Sequence, residues 1–100
     1  MKILPVRLTD AAVREVRAIM EKKGIPPGYG LRIGASGGAC AGTRYIIGFD
    51  HEKEGDCCFI VDSIPVFIEK KHFLLLAGIK IDFLDTNEER GFVFEPDNQN

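Results

Sequence analysis

Cys40 stands in the run Ser36-Gly37-Gly38-Ala39-Cys40-Ala41-Gly42-Thr43, one thiol among three glycines. Glycine accepts positive φ and lets the backbone come close to a bound group, so the run describes an exposed, shaped thiol in a bend between two strands. A thiolate so placed can ligate a soft metal or react as a nucleophile. The sequence has no cysteine or histidine after His72, so metal chemistry at Cys40 is expected to proceed without C-terminal ligands.

Several other chemistries fail on detail. A phosphate-binding loop needs lysine followed by serine or threonine opening a helix, and none follows Gly42. Cysteine-protease chemistry needs a histidine base, for which His51 lies in a charged turn and His72 on a helix beside Lys70 and Lys71. Cys57 and Cys58 have no Cys-x-x-Cys spacing and read as strand filler, alternating between opposite faces and buried in the core. Glu88, Glu89, Glu95 and Asp97 could complete an iron site, but are expected to form a solvated turn and a frayed end. Thiol redox sensing through Cys40 remains an alternative, with Arg44 near enough in sequence to favour the thiolate.

The elements around these residues follow from periodicity. Thr9 caps an amphipathic helix over Asp10–Lys23, with Ala12, Val13, Val16, Ile19 and Met20 on one face and Gly24 closing it. Leu31, Ile33 and Ala35 alternate as a strand leading into the Cys40 bend. Thr43–Asp50 returns from it with Tyr45, Ile47 and Phe49 on one face. Strands are expected at Cys57–Val61, Val66–Ile68, Ile79–Phe83 and Phe92–Phe94, with turns at 51–55, 62–65 and 87–91. A second, shorter helix is expected over Glu69–Gly78, its leucines buried.

At 100 residues the chain is expected to form one domain over 1–100. A 45% apolar and 28% charged composition is that of an ordinary globular protein. The net charge of −2 supplies no basic field, which argues against nucleic-acid partners. No run has the length of a membrane span or the core of a signal peptide. An odd number of cysteines, two of them adjacent, suits a reducing compartment, so a cytoplasmic location is expected.

Leu31-Arg32-Ile33-Gly34 through Gly37-Gly38-Ala39-Cys40-Ala41-Gly42, with the following strand to Phe49-Asp50, resembles the A-type iron–sulfur carrier family, also called HesB-like. Leu8-Thr9-Asp10-Ala11-Ala12 is similar to that family's first helix start. Ile64-Pro65-Val66-Phe67-Ile68, the short helix, Gly78–Phe83 and Gly91-Phe92-Val93-Phe94 follow in the same order. The resemblance implies a mainly β fold with two helices (α+β), a HesB-like β-sandwich of mixed and antiparallel strands. It also implies a homodimer or higher oligomer, and iron or an iron–sulfur cluster held through Cys40. Its partners would be scaffold or recipient apo-proteins, and its role that of a carrier rather than an enzyme. The family's Cys-Gly-Cys pair has no match in this sequence, so Cys40 alone inherits the ligand role and would share its cargo across a dimer. A scaffold that keeps the fold without the cargo, acting as an interaction or regulatory module, is the alternative.

Overall fold

Apolar side chains at every second position from Leu31 to Ala35 and from Ile64 to Ile68 are buried, and they set the plane of a four-stranded sheet. The computed structural model describes residues 5–38 and 42–97. In chain order the elements are β1 (Val6–Leu8), α1 (Asp10–Lys22), β2 (Tyr29–Gly38), β3 (Gly42–His51), β4 (Asp56–Val61), β5 (Ile64–Glu69), a 3-10 turn (Lys70–His72), α2 (Phe73–Leu76), β6 (Ile79–Asp85) and β7 (Arg90–Pro96). One sheet has the order β3-β2-β5-β4 and the other β1-β6-β7. Pairing is antiparallel except for β1 with β6 and β2 with β5, which makes both sheets mixed.

The sheets share one apolar core, to which α1 contributes Ala12, Val13 and Val16. At the outer seam Tyr45 of β3 stacks on Phe94 of β7, ring centroids 4.8 Å apart. The helix begins as its sequence requires. Thr9 Oγ1 accepts the Ala12 N–H at 3.2 Å, and its hydroxyl donates to Asp82 Oδ1 at 2.6 Å, tying the cap to β6. At its other end the N–H groups of Lys23, Gly24 and Ile25 take the carbonyls of Ile19, Glu21 and Met20.

Four expectations need correction. The second helix is one turn of 3-10 and one turn of α, and of its leucines only Leu76 is buried; Leu74 is 86% exposed and Leu75 41%. The leucine run suggested burial, but four α residues cannot turn three consecutive leucines inward. Cys57 and Cys58 are half-buried rather than core residues, because β4 is the edge of its sheet. The turn before β5 is only Asp62-Ser63, both at positive φ as a two-residue hairpin requires, so Ile64 and Pro65 belong to the strand. Finally, the chain is docked as far as Asp97, whose N–H donates to the Gly78 carbonyl and whose carboxylate pairs with Arg7 at 2.9 Å. Glu95 likewise pairs with Lys80 at 3.2 Å, so neither acid is a frayed end.

Thr9→Ala removes both the cap and the bond to Asp82. It is expected to lower unfolding stability by about 1–2 kcal/mol, read as an earlier midpoint in urea with unchanged slope.

Candidate functional site

Ten consecutive pairs join β2 to β3, from Tyr29 opposite His51 to Gly38 opposite Gly42. Cys40 itself lies outside the described residues, as do Ala39 and Ala41; the structure describes the two strands that lead into and out of this segment. Beyond Ala35 the hairpin leaves the core. Ser36, Gly37, Thr43 and Arg44 are all exposed, with Ser36 and Arg44 directly opposed. Gly37 has a φ of +137°, and a Cβ there would collide with the Gly42 carbonyl, so this stretch of the hairpin requires glycine.

Two features hold the hairpin against the sheet. The first is His72, at the end of the 3-10 turn. It packs on Gly34 so closely that a Cβ at residue 34 would lie 3.3 Å from its Nδ1 and 3.9 Å from the Cβ of Ile46. Arg32, Ile33, Gly34, Ile46, Glu69 and His72 line a small cleft of about 140 Å³ there. The half-buried His72 is thus a packing residue of the hairpin, and His51 is exposed and paired with Asp50 at 2.8 Å.

The second feature is an ionic cluster on the outer face of the sheet. Arg32 Nη1 and Nη2 donate to the two Asp56 carboxylate oxygens at 2.9 and 2.7 Å. Its Nε donates to Asp50 at 3.2 Å, and Nη2 also reaches the His51 carbonyl. The Lys53 N–H closes the turn onto Asp56 at 2.7 Å. The Asp56 side chain has no exposed surface, and the Arg32 guanidinium holds its carboxyl below the ordinary value of 3.8. Lys53, then the His51 N–H, holds Asp50 well below it too. Nothing in the spacing of Arg32, Asp50 and Asp56 announced this cluster, which exists only once β2, β3 and β4 are in register.

The remaining thiols are elsewhere. Cys57 and Cys58 pair with Ile68 and Phe67 of β5, and Phe67 lies opposite Arg32 of β2. From Arg32 to Gly38 the strand runs about 20 Å, so neither thiol reaches the end of the hairpin. Burial, then a hydrogen bond with Glu52, pushes the Cys58 thiol up to about 11 and keeps it protonated at neutral pH. Among the described residues no group of three or more His, Cys, Asp and Glu side chains is placed to hold a metal ion. No described helix is long and apolar enough to cross a membrane.

Sequence logic did not single out Ile46, which is 56% exposed on the outer face of β3 and, with Leu74 and Leu75, leaves apolar surface beside the hairpin. The signal was present in part: strict alternation around Tyr45, Ile47 and Phe49 already turns Ile46 to the opposite face.

Asp56→Asn leaves a largely buried guanidinium short of charge and is expected to cost about 2 kcal/mol at pH 7. The folded carboxylates bind protons less readily than the unfolded ones. Their contribution is therefore complete above the ordinary value of 3.8 and is lost as pH falls below it, so urea midpoints of wild type and variant should converge in that range. Gly37→Ala is expected to speed amide exchange at Ser36 and Thr43 by about tenfold or more while leaving β5 and β6 protected.

Comparison with known proteins places this architecture. No family model matches the chain. The mitochondrial iron–sulfur cluster assembly 1 homolog of Danio rerio is 36% identical over 102 residues, covering 97% of this chain and 78% of that protein. The iron-binding protein IscA of Serratia proteamaculans is 30% identical over 96 residues, covering 95% and 88%. Among solved structures, Escherichia coli SufA, a protein involved in the biosynthesis of iron–sulfur clusters, superposes with a TM-score of 0.74 at 26% identity, covering 95% of this chain and 82% of that one.

Proposed function

The chain belongs to the A-type iron–sulfur carrier family, and on that premise we propose that it binds iron or an iron–sulfur cluster through Cys40 and passes it on, as a carrier rather than a turnover enzyme. The observation that carries this reading is the β2–β3 hairpin. Its paired strands run out of the core and end at Gly38 and Gly42, on either side of the three residues that include Cys40. The iron-binding activity named for the Serratia relative is consistent with this reading.

Cluster iron is commonly held by four thiolates, and Cys58 lies level with Arg32, about 20 Å of strand from the last described residue of β2, Gly38. Two copies therefore share the cargo, each giving one Cys40 thiolate, with glutathione, water or carboxylate completing the iron coordination. The exposed apolar side chains of Ile46 on β3 and of Leu74 and Leu75 on α2 supply surface for such a pairing. Binding requires the thiolate, so loading releases a proton from Cys40 and weakens as pH falls.

Anaerobic titration with ferrous iron and sulfide tests the reading. The wild-type protein is expected to develop visible thiolate-to-iron charge-transfer absorption, and Cys40→Ser to lose it while keeping its circular dichroism. Equal absorption from the two proteins, or none from either, contradicts the role of Cys40; in the latter case the fold serves as an interaction module without cargo.

A further inference from the structure

The side of the sandwich where β3 faces β7 is not closed along its length. Each is an edge strand, β3 pairing with β2 and β7 with β6. The Tyr45–Phe94 stack seals one part of the seam. Further along, where Phe49 and Phe92 line it, the seam opens into a groove of about 290 Å³ floored by Leu31 and Ile47 and bordered by Ile19 and Lys23 of the α1 end. Ile19 and Lys23 also line a second groove of about 560 Å³, which runs along α1 past Ala18 and Lys22 to Arg90. The two adjoin at Ile19 and Lys23, which line both, and together make a trough that is apolar at its seam end and charged along α1.

Its rim is cationic in a chain that is acidic overall. Lys22, Lys23 and Arg90 face a single carboxylate, Glu15, within the larger groove, while the whole sequence has a net charge of −2. Arg90 lies 3.5 Å from Glu15 and 3.5 Å from Asp85, so its charge is offset and the uncompensated cations of the rim are Lys22 and Lys23. Lys22 and Lys23 are exposed, and among the described residues neither is in an ion pair.

We propose that this trough is a docking site for an acidic segment of a partner protein, carrying one bulky apolar side chain that enters the seam between Phe49 and Phe92 while flanking Asp or Glu residues meet Lys22 and Lys23. An apolar anchor in a pocket with a charged rim is how short segments obtain affinity and orientation together. The groove shares β2 and β3 with the hairpin that leads to Cys40. Gly42 and Phe49 are separated by about 23 Å of strand, so a segment seated here tethers its protein within reach of the hairpin end without covering it. The inference does not depend on what Cys40 binds.

The test is a titration of the full chain with a labelled ten-residue peptide containing one Phe or Leu among Asp and Glu residues, followed by amide chemical shifts and fluorescence anisotropy. Saturable binding is expected, with shifts at Ile19, Lys23, Phe49 and Phe92. Lys22→Glu/Lys23→Glu should weaken it by about tenfold or more, as should replacing the anchor by Ser, and added salt should weaken the wild type. The Cys40→Ser protein should bind the peptide as the wild type does, which separates this inference from cargo binding. Unsaturable binding, shifts confined to other surfaces, or equal affinity in the charge-reversed variant overturns it. So does movement of the same amides on concentrating the protein alone, which would mean that a second copy covers the trough.

Discussion

The ten-pair register between β2 and β3 is the constraint on which the rest of the structure depends. Strand side chains alternate with a period of two, so a slip of one residue would expel Leu31, Ile33 and Ala35 from the core and turn Arg32 inward. The same register brings Arg32 to Asp50 and, through β5, to Asp56 on β4, joining three strands by charge on the outer face while the inner face is joined by apolar contact. It also determines where the paired strands end, and hence where the segment containing Cys40 begins.

Burial is unevenly distributed along this hairpin. Its base has a buried apolar face and a bidentate ion pair, and its middle is packed on His72 through a position that only glycine fills without displacing the imidazole. Its outer part, from Ser36 to Gly38 and from Gly42 to Arg44, is exposed or glycine.

Much of this was legible in the sequence because two kinds of signal are local. Helical spacing with Thr9 before it and Gly24 after it located α1, and period-two alternation located β2, β3 and β6. Three-residue β1 carries no period, and its place is set by parallel pairing with β6, a non-local fact. Hydrophobicity alone misled at Leu74 and Leu75, since a leucine run reads as core whether or not the helix is long enough to bury it. The same ambiguity made Cys57 and Cys58 look interior, whereas edge position in the sheet leaves them half-covered. At the candidate site the glycines around Cys40 were the legible part. The Arg32 cluster and the trough between β3 and β7 were not, because both are assembled from residues far apart in sequence and brought together by sheet order.

In the proposed function, one Cys40 thiolate from each of two chains holds the cargo. Native mass spectrometry of protein loaded anaerobically with iron and sulfide tests it directly. A species of two chains carrying iron and inorganic sulfide together is expected, and Cys40→Ser should abolish it. Iron and sulfide retained on single chains, or retained equally by the Cys40→Ser protein, would contradict it.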